Sequence, residues 1–171
     1  MVEHELDLWD MIKVRPAPMA GDPIFTSHVF GSYVIPGEKR STKIFRDLKI
    51  LCEKNYREGK GVLKNEKYRA ILWNPPLLHA IDLFNWAERA YGIAFIIDSM
   101  TFSRRTPFID NTSEESMLRG LGQNMMEGPM TRHTRGPAAN YIEDIFYLVK
   151  CFDIDMLWGA GNVGCKNTAA L

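Results

Sequence analysis

One turn carries most of the chemistry that this sequence offers. Gly159, Gly161 and Gly164 satisfy G-x-G-x-x-G behind a short apolar run, and Asn162 lies within the turn, with Cys165 and Lys166 directly after it. Glycines behind a strand permit a tight change of direction and a close approach of backbone to phosphate. A dinucleotide fingerprint, however, belongs to the first strand of its unit and wants an acidic residue about 20 positions later. Here the run is the third and the sequence stops at Leu171. A tight turn without a nucleotide is the plainer reading. Lys166 and a helix start would favour a thiolate at Cys165, either as nucleophile or as metal ligand, whereas a neutral thiol there is simply a small core side chain. A nucleophile wants a base, and His4, His28, His79 and His133 show no paired spacing. An iron–sulfur site wants more cysteines, and there is no C-x-x-C. Cys52 and Cys151 fall on the apolar side or end of helices and read as core. Arg132 and Arg135 flank His133 just before a helix start, where they would either grip an anion such as phosphate or remain solvated loop charges. His79, near a helix start, reads as a surface or packing residue.

The elements that must position this turn come in two parts. Residues 1–65 read as a helical segment from a preceding domain, and 66–171 as an incomplete α/β domain. In the first part, Val2, Leu6, Trp9 and Ile12 recur at helical spacing until the prolines of Arg15-Pro-Ala-Pro18. Asp22 before Pro23 predicts an N-cap with proline at the first helical position. Pro36-Gly37 closes that segment. Ser41 or Thr42 is expected to cap a third helix with Ile44, Leu48, Leu51 and Cys52 on its apolar face, ended by Gly59-Lys-Gly61.

From Tyr68 the period changes. Ala70-Ile-Leu-Trp73, Ala94-Phe-Ile-Ile97 and Asp155-Met-Leu-Trp158 are short apolar runs, each read as a strand. Between the first two lies a helix pattern through Leu77, Ile81, Phe84, Ala87 and Tyr91, ended by Gly92. Between the last two come an irregular stretch, a helix over Glu114 to Met126, a loop around His133, and a helix from Gly136-Pro137 with Ile142, Ile145, Val149 and Phe152 inward. Met117, Met125, Met126 and Met130 are expected to fill the core between helix and sheet. Strands alternating with helices argue for a parallel sheet covered on both faces.

Composition sets limits on partners. The chain has 171 residues, 46% of them apolar, with 21 Lys plus Arg against 21 Asp plus Glu. That balance gives no footprint for a nucleic-acid backbone or an anionic membrane. No apolar stretch approaches the roughly 20 residues of a membrane span. The acidic first residues are not those of a secretory signal, and three widely spaced cysteines do not make a disulfide framework. The expected location is the cytoplasm.

The succession of short motifs resembles a known family. Arg15-Pro-Ala-Pro-Met, Lys67-Tyr-Arg-Ala-Ile-Leu-Trp-Asn-Pro-Pro, Phe84-Asn-Trp with Tyr91-Gly, Met130-Thr-Arg with Arg135-Gly-Pro-Ala, and Gly159-Ala-Gly-Asn-Val-Gly-Cys-Lys run along nearly the whole chain. Together they resemble the 2-hydroxyacyl-CoA dehydratase and benzoyl-CoA reductase family, and the Gly-Cys-Lys turn is the strongest element. The resemblance implies a Rossmann-like (flavodoxin-like) parallel sheet. It also implies an enzyme of two related subunits, each with a 4Fe-4S cluster held by three cysteines, and an ATP-dependent iron–sulfur activator protein as a further partner. Cys165 matches the third cluster ligand, with Gly161, Asn162, Gly164 and Lys166 forming its turn. Asn162 departs from the bulkier residue of many relatives. The first two ligands have no counterpart here, so the chain is expected to be a fragment of one subunit. The implied reaction is radical elimination of water from a 2-hydroxyacyl-CoA, with reduction of an aromatic acyl-CoA as the alternative. A dinucleotide-binding oxidoreductase and a non-catalytic scaffold remain as further readings. The loops behind the first two strands place Asn74, Pro75, Ser99 and Met100 as candidates for the acyl-CoA wall. The implied reaction does not require proton transfer by a residue of this chain, because the electron makes the carbonyl carbon electron-rich and weakens the neighbouring bond to hydroxyl.

Overall fold

A computed structural model describes residues 2–35, 38–73, 81–98, 109–134 and 136–159. The elements run α1 (Val2–Met11), α2 (Gly21–Val29, continued by a π-helical turn over Phe30–Val34), α3 (Lys39–Arg57), β1 (Tyr68–Trp73), α4 (Ile81–Tyr91), β2 (Ile93–Asp98), α5 (Glu114–Glu127), α6 (Pro129–Thr134), α7 (Ala138–Cys151) and β3 (Met156–Gly159). This is a mixed α/β fold with a helical amino-terminal region. The strands form one parallel sheet in the order β2-β1-β3.

Arg69 through Trp73 are all buried, as expected of a central strand covered on both faces. On one face, Ile71, Ala94 and Ile96 share a core with Leu8 and Trp9 of α1 and the following Ile12, Ile24 of α2, Phe45 and Cys52 of α3, Leu148 of α7 and the following Phe152. On the other, Ala70, Ile93, Phe95, Met156 and Trp158 pack with Ala87 of α4. Phe84 adds an edge-on ring against Phe95 at 5.0 Å. Helix α4 leads directly into β2 because Gly92 takes φ +69°, and a Cβ there would lie 2.6 Å from the Asn65 carbonyl oxygen.

Several expected faces turn out differently, and the reasons agree. In α1 the buried stripe is Glu5, Leu8 and Trp9, continued by Ile12 just past its end, with Leu6 exposed. Glu5 tolerates burial because His28 meets it at 3.0 Å and Trp9 Nε1 donates to it at 3.4 Å. In α3 the stripe is Ser41, Phe45 and Cys52, and Ile44 and Leu51 face solvent. Ser41 does not cap this helix. It lies inside the first turn, where its hydroxyl donates to the Ile35 carbonyl at 3.0 Å. Likewise α2 begins at Gly21 with Ala20 at the N-cap, so Asp22 and Pro23 sit within the first turn. In α7 Asp144 and Leu148 are buried while Ile142 is exposed. Helix α5 buries none of its residues, and Met117, Met125 and Met126 are exposed rather than core. The stretch around His133 is helical, as α6.

The amino edge of the sheet is tied by charge. Arg69 lies wholly buried, donating to Glu66 Oε1 at 2.6 Å, to the carbonyls of Lys13 and Phe152 at 3.0 Å each, and to that of Val14. The Arg69 backbone N–H and Arg15 both donate to Asp155, at 2.8 and 2.9 Å. These bonds join the segment after α1, the start of β1 and the turn into β3.

Candidate functional site at the carboxyl edge of the sheet

Strands β1, β2 and β3 end at Trp73, Asp98 and Gly159 on one edge. From β1 the chain passes by α4 to β2 on one side, then by α5, α6 and α7 to β3 on the other. Helices α4 and α7 accordingly cover opposite faces. The direction of winding therefore reverses between β1 and β3, and in open α/β sheets ligands bind outside the carboxyl ends of the strands at such a reversal. Trp73 and Gly159, paired in register, mark that place.

One described cluster stands there. Trp73 is nearly buried, and the Tyr141 ring of α7 meets it edge-on with centroids 4.0 Å apart. The His133 ring of α6 lies 4.9 Å from Tyr141 and 6.3 Å from Trp73. His133 Nε2 is 2.8 Å from Asp144 Oδ2, and Arg132 Nε donates to the same oxygen at 2.8 Å. Burial alone would raise the Asp144 carboxyl, but the hydrogen bonds from Arg132 and His133 hold it below the usual carboxylate range. A carboxylate at Asp144 fixes the Nε2–H tautomer of His133, leaving Nδ1 as the acceptor. Among the described residues Nδ1 has no hydrogen-bond partner. Gly136 permits the close approach of α6 to α7: a Cβ there would lie 2.3 Å from the Arg132 carbonyl oxygen and 2.7 Å from Asn140 Nδ2.

This geometry corrects the anion-grip reading of Arg132. Its guanidinium is committed to Asp144, with Glu127 and Glu143 at 3.8 and 3.9 Å, so it is neither a free phosphate clamp nor a solvated loop charge. The grouping of Trp73, His133, Tyr141 and Asp144 was not anticipated, because the sequence separates its members into a strand, a short helix and a long one. Asn74, Pro75, His79, Ser99, Met100, Arg135, Gly161, Asn162, Gly164, Cys165 and Lys166 lie outside the described residues. In chain order Asn74 follows β1, Ser99 follows β2 and the cysteine turn follows β3, each from this same edge.

Cys52 and Cys151 do not belong to the edge. Cys52 is buried in α3, where desolvation pushes its thiol up to about 11, and Cys151 packs against the same core at the far end of α7. Among the described residues no group of His, Cys, Asp and Glu is arranged to hold a metal ion. The described part of the chain thus does not fit as the holder of an iron–sulfur cluster.

A parallel sheet with helices on both faces, its winding reversed beside a tryptophan–histidine–carboxylate cluster, is a Rossmann-like α/β architecture, and the strand ends are its candidate site. The chain belongs to the family described as 2-hydroxyglutaryl-CoA dehydratase, D-component, whose model matches residues 3–170. That designation makes it one component of a dehydratase with more than one part. No curated protein matches the chain. Among the described residues no helix is long and apolar enough to cross a membrane.

Proposed function

We propose that this chain belongs to a subunit that removes water from a 2-hydroxyacyl-CoA, working in the cytoplasm with a related second subunit and an ATP-hydrolysing iron–sulfur activator protein. The observation that carries this reading is the family match over residues 3–170. The glycine–cysteine turn directly behind β3 supports it, since that strand ends at the edge where an α/β sheet takes its ligand.

A 4Fe-4S cluster, when bound, supplies low-potential electron transfer. Cys165 is the thiol of this chain proposed to reach it, and one thiolate does not hold a cluster alone, so the other sulfur ligands come from protein beyond these residues. What the described residues contribute is aromatic surface at the end of β1, where Trp73 and Tyr141 meet edge-on, with the Arg132–Asp144 ion pair beside it. Asn74, Pro75, Ser99 and Met100 are proposed as the wall against the thioester. An electron entering the thioester would make the carbonyl carbon electron-rich and weaken the bond between the neighbouring carbon and hydroxyl, which a water-excluding surface favours. Incubating the full complex anaerobically with activator, ATP and reductant tests the reading. Formation of an enoyl-CoA from any of a panel of 2-hydroxyacyl-CoAs is the expected result, and reduction of benzoyl-CoA with no enoyl-CoA from any hydroxyacyl substrate contradicts it.

A further inference from the structure

We propose that His133, oriented by Asp144, transfers the proton in this reaction: Nδ1 takes the proton from C3 of the acyl chain and passes it to the hydroxide that has left C2. The inference rests on the dehydratase reading and adds a residue to it. Dehydration breaks the C2–O and C3–H bonds and forms a C2=C3 double bond. A one-electron donor of low potential lends an electron to the thioester and recovers it, so the products are enoyl thioester and water, and the imidazole ends neutral as it began.

The cluster has the parts that such a transfer needs. A base wants a free lone pair, a fixed tautomer and a neighbour that stabilises its protonated form. Asp144 provides the last two through Nε2 at 2.8 Å, and Nδ1 has no hydrogen-bond partner among the described residues. The groups facing the imidazole are Asp144, Arg132 and the Tyr141 phenol ring, with Glu127 and Glu143 beyond Arg132. Arg132 pairs with the same Asp144 carboxylate. Trp73, last residue of β1, puts the ring beside the strand reversal. A purely structural hydrogen bond between α6 and α7 would need Nε2 alone.

The two roles separate experimentally. Glutamine places an amide N–H where Nε2–H lies, so H133Q keeps the bond to Asp144 and loses the base. We expect H133Q in the full complex to keep its melting temperature and lose kcat by about 10²–10⁴-fold, with KM little changed. D144N, a change to the positioning residue, should lower kcat by about 10–100-fold. In the 15N-histidine-labelled full subunit, neutral His133 should carry its proton on Nε2. An active wild type with H133Q within about threefold of it, or a proton on Nδ1, overturns this inference alone. A wild type that forms no enoyl-CoA overturns the dehydratase reading and this step with it.

Discussion

Arg69 Nε donates to Glu66 Oε1 at 2.6 Å, and neither side chain reaches water. A buried ion pair owes its net stability to the further bonds that satisfy it, and here the guanidinium also serves carbonyls from the segment after α1 and from the turn after α7. Replacing Arg69 by Met leaves those carbonyls without their donor and Glu66 with only the Ala17 N–H at 2.8 Å and Arg15 at 3.9 Å. The expected loss is about 3–5 kcal/mol, read by urea unfolding. Arg69→Lys should recover little of it, since one ammonium cannot span acceptors spread around a planar fork. A Lys variant of wild-type stability would contradict this.

A second ion pair makes stability depend on pH near neutrality. The hydrogen bond to Glu5 raises the His28 imidazole above its ordinary 6.5, against a smaller opposing effect of burial. Its folded value therefore exceeds its unfolded one. The stabilisation is complete below about pH 6.5 and fades as pH rises through the folded value. Unfolding midpoints of wild type and His28→Gln should converge as pH climbs past that window. Parallel curves would remove His28 from the account.

On the acid side the sign reverses. Burial would raise Asp155, but hydrogen bonds from the Arg69 backbone and from Arg15 lower it, and Asp144 is lowered by Arg132 and His133 against the same opposing burial. Both contribute stability above their ordinary 3.8 that is lost as pH falls through the lower folded values. Asp155→Asn should flatten the acid-unfolding curve, measured by circular dichroism.

The cysteines should divide by reactivity and by metal. Native Cys52, with its thiol pushed up to about 11 by burial, should resist iodoacetamide at pH 8 until the chain unfolds. In the reconstituted full subunit Cys52→Ala and Cys151→Ala should keep iron, and Cys165→Ser should lose it. Loss of iron from the Cys52 variant at unchanged stability would contradict the core assignment.

Gly136→Ala tests the approach of α6 to α7. Its Cβ would press on the Arg132 carbonyl oxygen, which is backbone and cannot simply swing away. A loss of about 1–3 kcal/mol is expected. The same change should disturb the His133 resonance, seen by NMR, because His133 adjoins the displaced turn. An unperturbed spectrum would mean that α6 accommodates the methyl without moving.

How far the sequence could be read follows from where polar groups hide. The runs Ala70 to Trp73, Ala94 to Ile97 and Asp155 to Trp158 announced the strands; the first two are apolar because they are covered on both faces, whereas β3 leaves Leu157 exposed. Helix existence was equally legible for α1, α3, α4, α5 and α7 from spacing and from Gly59 and Gly92. Helix faces were not. Each misplaced stripe holds one polar residue whose partner is brought in by the fold: Glu5 by His28, Ser41 by the Ile35 carbonyl, Asp144 by His133 and Arg132. A hydrophobic period counts such residues as exposed. Asp144 is thus counted with the exposed charges, and the histidine it orients stands without a visible partner. The exposed methionines of α5 show the converse, since apolar residues at helical spacing do not by themselves say that anything covers them.

The most direct measurement is ATP hydrolysed per enoyl-CoA formed by the full complex with its activator under anaerobic conditions. Water elimination returns the electron at the end of each turnover, so ATP use should fall far below one per product once the enzyme is activated. ATP consumption that keeps pace with every turnover, with electrons retained in a reduced acyl product, would contradict the dehydratase account.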